Sequence, residues 1–245
     1  MIKKRKKKIF AIILTYNCEQ LLKKTYEKLP KRVFDRVILV DDHSSDKTMQ
    51  VAKSLGIEAY THKHTGYGGN IKFGLQKAYK MGADYMVEIH GDGQFDSRIA
   101  PQAIKKMDEG FDLLLGSRFI NIKQPLKDGM PMSRYITNIV TSYISRIVLG
   151  LKLTEVHNGF HVFNRRFIEE AGFKNTSQGH IYSFEILAQA KYHELKVTEI
   201  PVRCDYIGKH TSMDILESVP YLYSIFKVLF QYLLTKFDLK VGLFK

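Results

Sequence analysis

Tryptophan is absent from this chain of 245 residues, and cysteine occurs only twice. Two thiols, Cys18 and Cys204, cannot build a disulfide framework, so a reducing compartment is expected. No uncharged apolar run approaches the ~20 residues that a bilayer crossing requires. The basic start followed by Ile9–Leu14 has the outline of a secretory leader, but the run is short and leads into Thr15-Tyr16-Asn17 rather than small residues. It reads as a strand, and the expectation is a cytoplasmic protein. Acidic residues are also few: 25 Asp and Glu stand against 38 Lys and Arg, a formal charge of +13. Lys3–Lys8 (KKRKKK) holds six of the positive charges, which leaves 32 against 25, or +7, for the rest. Core material is not scarce. With 44% hydrophobic and 12% aromatic residues a disordered chain is excluded, and the length fits one large domain or two small ones.

Short apolar, β-branched runs alternate with helical patterns in the first half. Ile9–Thr15, Arg36–Asp41, Ile57–Thr61, Asp84–His90 and Asp112–Leu115 read as strands. Helices are expected at Glu19–Leu29, from a cap at Ser45 or Asp46 to about Gly56, from Asn70 to Met81 after a glycine-rich turn, and at Ala100–Met107. Continuous apolar strands separated by helices imply an α/β fold with a mostly parallel sheet covered on both faces. Two prolines and a glycine predict a mobile loop over Asn121–Met132. Beyond it a helix at Ser133–Leu149, a short strand at His161–Phe163, a helix at Tyr182–His193 and a strand at Lys196–Val202 are expected. From Asp214 onward aromatics and aliphatics cluster at helical spacing.

Polar residues gather just after three of these strands: Thr15-Tyr16-Asn17, Asp41 to Asp46, and His90 to Asp96 (HGDGQFD). Any one of them is an ordinary turn or helix cap. In a parallel sheet, however, the three ends share one rim, where such sheets bind ligands. A carboxylate between glycines, Asp92, suits a hard divalent cation whose other positions go to water and phosphate oxygens. His90, one residue away across Gly91, reads as a strand-end residue facing solvent or a neighbour rather than as a metal ligand. Gly66-Tyr67-Gly68-Gly69 fails the dinucleotide fingerprint, which needs glycine at Ile71, but a glycine turn at a helix N-terminus suits a phosphate. No phosphate-loop lysine, nucleophile elbow or zinc spacing occurs.

Taken in order, LTYN (Leu14–Asn17), DDHSSDKT (Asp41–Thr48), GYGGNIKFGL (Gly66–Leu75), HGDGQFD, GSRF (Gly116–Phe119), HNGFHVF (His157–Phe163), FEILAQA (Phe184–Ala190) and EIPVRCDY (Glu199–Tyr206) resemble the inverting glycosyltransferases of family 2. The similarity is to their dolichyl-phosphate mannosyltransferase-like branch and runs from Ile9 to about Met213. It implies the GT-A fold, a single Rossmann-like domain over residues 9–213, between a basic tail at 1–8 and a C-terminal amphipathic helical segment at 214–245. By this resemblance Thr15, Tyr16, Asn17 and Asp42, with Gly69 and Lys72 of the glycine segment, bind a nucleotide-diphospho-sugar. Asp92 matches the last Asp of the family's metal motif, Gln94 a residue that can join it, and the cofactor is Mg2+ or Mn2+. His90 stands where that motif has its first Asp. Arg118 and Arg134 match basic positions that meet phosphate groups, although Arg118 also reads as a strand-end salt bridge. Lys209 or His210 stands near a further basic position.

The implied reaction is displacement at the anomeric carbon with inversion, onto a polyprenyl-phosphate or a lipid-linked or polysaccharide acceptor. A hydroxyl acceptor needs a general base, for which Glu185 and Asp96 are the candidates, Asp96 equally a helix cap. A lipid phosphate needs none. Two other readings stay open: an inactive or regulatory homologue, since His90 replaces an acid, and a basic nucleic-acid-binding protein. Against the second, the charge outside the tag is not gathered in a reading helix, and no nucleic-acid partner is expected. Peripheral attachment to the inner membrane face, through Lys3–Lys8 and Tyr221–Leu234, competes with a core or dimer role for the latter segment.

Overall fold

The structure is a computed structural model that describes residues 5–206 and 215–245. Its elements, in chain order, are β1 (Ile9–Thr15), α1 (Glu19–Lys28), β2 (Arg36–Asp41), α2 (Thr48–Ser54), β3 (Glu58–Thr61), α3 (Tyr67–Lys80), β4 (Tyr85–His90), α4 (Ala100–Met107), β5 (Leu113–Ser117), α5 (Gln124–Lys127), α6 (Met132–Leu149), β6 (His161–Asn164), α7 (Arg165–Glu170), α8 (Tyr182–Tyr192), β7 (Val197–Pro201) and α9 (Ile215–Thr235). The seven strands form one sheet in the order β3-β2-β1-β4-β6-β5-β7. All neighbours are parallel except β6, which runs antiparallel to both β4 and β5. The chain leaves β1 toward β2 and β3 on one side and returns as β4 on the other. The strand order therefore reverses beside β1, and the register sets Thr15 against Asp41 and Leu14 against His90. That puts the three polar strand ends on one rim.

The apolar strands are explained by burial on both faces. Phe10, Ile12 and Leu14 of β1 pack with α3, α8 and α9, while Ala11 and Ile13 pack under α1, α2 and α4. The helix after β3 begins at Tyr67, three residues before the expected start, so the glycine segment is its first turn rather than a free loop. The glycines allow contact: a Cβ would lie 2.5 Å from Ser177 O on Gly68 and 2.1 Å from Thr65 Oγ1 on Gly69. The stretch predicted as a mobile loop holds the short helix α5, and Asp128 ties it down by accepting from Gln124 Nε2 at 2.8 Å and Arg203 Nε at 3.2 Å. Composition signalled the prolines there but not the charge partner 75 residues away.

At the opposite ends of the strands the basic start meets carboxylates. Arg5 pairs with Asp84 at 2.6 Å, Lys7 with Asp108 at 2.9 Å and Lys6 with Asp35 at 3.6 Å. Among the described residues no helix is long and apolar enough to cross a membrane. The segment holding Lys209 and His210 lies outside the described residues.

Candidate functional site

A cleft of about 1140 Å³ opens at the carboxyl ends of β1, β2 and β4. Its floor carries Thr15, Tyr16, Asp42, Asp92 and Gln94, and its far wall carries Arg134, Thr137 and Thr141 of α6 with Tyr221 and Leu222 of α9. Arg118 and His157 lie between the two.

On the floor, the second strand end is spent on holding its own loops. Asp41 accepts from Thr15 Oγ1 at 2.9 Å and Ser44 N at 2.8 Å. Asp42 accepts from the amides of Thr65 and Gly66, both at 2.8 Å, and lies 2.9 Å from His64 Nδ1. Its carboxylate thus fixes the turn that enters α3. Asn17, at φ 48°, clasps the neighbouring turn: its amide donates to Ser44 Oγ and its Oδ1 accepts from Ser45 N. Asn17 does not line the cleft, whereas Tyr16 does, half exposed and 4.8 Å ring to ring from His64. Sequence reasoning missed His64, which lies in a polar stretch with no distinguishing pattern.

Asp92 lies half-buried just past β4, one oxygen accepting from Gln94 N at 3.0 Å. His90 is turned to its neighbours, with Nε2 3.2 Å from Glu88 Oε1 and 2.9 Å from Gly159 O. Glu88 is fully buried and also meets His161 Nδ1 at 2.8 Å and the Tyr67 hydroxyl at 2.6 Å. Burial alone would raise its pKa, but His161 and His90 outweigh that and hold it at about 2. A glutamate amid the apolar YMVEIH was the available signal for this buried ion cluster. Among the described residues no group of three or more His, Cys, Asp and Glu gathers as a metal nest. What Asp92 and Gln94 offer is a donor set of oxygens open to the cleft, which fits a hard cation sharing its shell with phosphate and water. Asp96 caps the turn before α4, its carboxylate accepting from Arg98 N at 3.1 Å.

Arg118 is locked. Its Nε and backbone amide each donate to the Glu155 carboxylate at 2.7 Å, Nη2 donates to His157 O at 2.9 Å, and Nη1 reaches Tyr206. Burial would lower its pKa, but Glu155 more than compensates and keeps the guanidinium charged. His157 bridges two helices, with Nε2 2.7 Å from Thr141 Oγ1 and Nδ1 3.2 Å from the Tyr221 hydroxyl. Thr141 gives its own proton to Thr137 O at 2.6 Å, so His157 donates from Nε2 and accepts from Tyr221 at Nδ1. Burial, helped by the Arg118 charge, pushes the imidazole down to about 3. Arg134 lines the cleft; Gly69, Lys72 and Glu185 do not. Lys72 Nζ donates to Thr176 O at 2.6 Å, Gly69 N donates to Gln178 O, and Glu185 accepts from Ser177 through its amide and hydroxyl. These three brace the 176–178 loop against α3 from behind the cleft wall, so the general-base expectation for Glu185 is corrected to a packing role.

A family model described as glycosyl transferase family 2 matches residues 10–172. Among curated proteins, the UDP-N-acetylglucosamine–dolichyl-phosphate N-acetylglucosaminyltransferase of Methanococcus voltae is 28% identical over 223 residues, covering 82% of this chain and 86% of that one. The undecaprenyl-phosphate mannosyltransferase of Micrococcus luteus is 26% identical over 203 residues, covering 80% and 82%. Among solved structures, glucosyl-3-phosphoglycerate synthase of Mycobacterium tuberculosis, in complex with Mn2+, UDP and glucosyl-3-phosphoglycerate, superposes with a TM-score of 0.67 at 14% identity, covering 92% of this chain and 80% of that one. The last likeness shows the fold, the GT-A arrangement that the motifs implied.

Proposed function

The chain belongs to glycosyl transferase family 2, and from that premise we propose that it moves a sugar from a nucleotide-diphospho-sugar to a polyprenyl phosphate, with inversion, at the cytoplasmic face of a membrane. The observation that carries the acceptor is the inventory of carboxylates. Among the described residues Asp42 and Asp92 are the only carboxylates that line the cleft, and Asp42 is already engaged by three donors. With Asp92 given to the diphosphate, no cleft-lining carboxylate among the described residues remains to deprotonate an alcohol. A phosphate monoester is already an anion and needs no such base.

In this reading Tyr16 and His64 flank the base, Thr15 lines the ribose side, and Asp42 holds the 64–66 turn in shape around them. Asp92, with Gln94, would hold Mg2+ or Mn2+, which neutralises charge on the diphosphate when bound. An oxygen of the acceptor phosphate attacks the anomeric carbon from the face opposite the nucleotide. The bond from that carbon to the diphosphate breaks and its electron pair leaves with the nucleoside diphosphate. Arg134 sits on the acceptor wall and supplies positive charge to the incoming phosphate. Arg118 acts from beneath, as the fixed charge that orders Tyr206 and the His157 backbone.

The test is transfer from a panel of radiolabelled UDP- and GDP-sugars to polyprenyl phosphate in vesicles, with Mg2+, Mn2+ or EDTA. A lipid-linked product whose formation stops with EDTA is expected. Transfer only to a glycan hydroxyl, or equal rates in EDTA, would overturn the acceptor or the metal respectively.

A further inference from the structure

Helices α6 and α9 pack against each other, and each carries an apolar stripe that nothing among the described residues covers. On α6 the exposed residues are Met132, Ile136, Val140, Tyr143 and Ile147, spaced four, four, three and four apart along one helix face. On α9 they are Val219, Tyr223, Phe226, Phe230 and Leu233, again at threes and fours, with Phe237 continuing the row just past the helix. The opposite faces are already used: Thr141, Ser142, Ser145 and Leu149 of α6, and Ile225, Val228, Leu229 and Tyr232 of α9, are buried. Exposure on the outer faces is large, 60% at Ile147, 62% at Phe230 and 71% at Tyr223. Rows of this extent exceed the scattered apolar residues of an ordinary surface. Ile122, 54% exposed, joins them from the preceding loop, which Tyr135 holds through a hydrogen bond to Ile122 O at 3.0 Å.

Charge decides what covers these stripes. Apart from Arg134, which lines the cleft, residues 119–149 contain three Lys and Arg against one Asp, and residues 215–245 contain four Lys against one Glu and one Asp. One of the three acids, Asp128, is buried against Arg203. The chain as a whole has 38 basic to 25 acidic residues, so the basic excess of these two segments is steeper than the average. A second copy laid face to face would bring like charges together. An anionic lipid leaflet would meet basic side chains with headgroups and apolar stripes with acyl chains. Lys227 and Pro220 within α9 suit a helix lying in an interface rather than crossing it.

We propose that the joined outer faces of α6 and α9 form a docking surface for an anionic lipid leaflet, and that docking brings the mouth of the cleft to the bilayer. The inner sides of the same helices line the cleft through Arg134, Thr137, Thr141, Tyr221 and Leu222, so a lipid headgroup entering between them has a short path to the reacting carbon. This rests on the acceptor reading above for its purpose, but on exposure and charge for its location. Arg5 to Lys7 are not part of this surface, since they pair with acids at the other ends of the strands, roughly 20 Å away along the sheet.

The experiment is flotation of the full chain with vesicles containing a third phosphatidylglycerol and no polyprenyl phosphate, beside calorimetry of UDP and GDP binding in solution. The double variant Ile147→Glu/Phe230→Glu alters exposed positions and should keep its nucleotide affinity. It should bind vesicles about tenfold more weakly, and Lys227→Glu/Lys236→Glu should flatten the salt dependence. Lys3→Gln/Lys4→Gln/Lys6→Gln should stay within about twofold of the parent. Unchanged flotation of the Ile147→Glu/Phe230→Glu variant overturns the proposal, as does a parent chain that never floats. So does a parent dimer that this variant converts to monomer while flotation is unaffected. Failure of nucleotide binding in every chain would instead sink the family-based reading and leave the surface standing.

Discussion

The two sides of the cleft are built on different principles. The floor is made of strand ends, and its polar side chains are occupied within a few residues or by the adjacent strand: Asp41 with Ser44, Asp42 with the 64–66 turn, Asp92 with Gln94. The far wall is made of helices joined by a buried polar chain that spans the sequence from Arg118 through Glu155 and His157 to Tyr221. The floor owes its precision to sheet register and the wall to a long-range network in low dielectric, where every member must be satisfied. Damage to the floor should therefore appear in catalysis and donor binding, damage to the wall in stability.

The sharpest break in that comparison is Asp92→Asn, expected to lower transfer by about a thousandfold, ~4 kcal/mol of barrier, with thermal stability little changed. Steady-state kinetics beside a melting curve checks it, and a melting temperature that falls with activity would place Asp92 with the wall instead. Next comes Arg118→Leu, which leaves Glu155 charged and buried without its partner. Stability should fall by about 3 kcal/mol in urea titration, and the double change with Glu155→Leu should recover part of it. An unaffected midpoint would show that the pair carries no weight.

The wall also has a pH signature. His157 in the fold is held at about 3, while its ordinary value is 6.5. Between these values the unfolded chain takes up a proton that the folded chain refuses, so stability falls as pH drops below 6.5. From pH 7 to pH 5 the parent should lose ~2 kcal/mol more than His157→Gln, whose amide can both donate to Thr141 and accept from Tyr221. Parallel curves for the two proteins would refute the assignment. The smallest effect belongs to Asp42→Ala. With the Thr65 and Gly66 amides left unpartnered, donor affinity by calorimetry should weaken about tenfold, while turnover at saturating donor holds. A loss of turnover with affinity intact would move Asp42 to the chemistry.

The same contrast explains what the sequence revealed. All seven strands lie within two residues of their expected ends, because each is a short apolar run bounded by polar residues, a local pattern. The three-cluster rim followed from the parallel order alone. The start of α3 was misplaced because glycines normally mark turns, whereas here they allow contact with residues 176–178, more than a hundred positions away. Glu185 resembled a base by type and position, and only its hydrogen bonds to Ser177 reveal a brace. The antiparallel insertion of β6 left no local trace, since its direction is set by which neighbours have room. Arg118 carried both readings, phosphate contact and salt bridge, and the buried Glu155 that decides between them lies 37 residues further along.

The bridge from Thr141 through His157 to Tyr221 has a single sense of proton donation, from α9 inward to α6. Reversing it would require Thr141 to abandon the carbonyl of Thr137 in its own helix, so the imidazole has one orientation and no tautomeric freedom. The folded ring is neutral, so it joins the two helices with no added buried charge, and acid weakens the fastening only by favouring the unfolded chain, where the ring can take a proton. Tyr221→Phe would remove the donor to His157 Nδ1 and so untie one end of the fastening, leaving the ring joined to α6 alone.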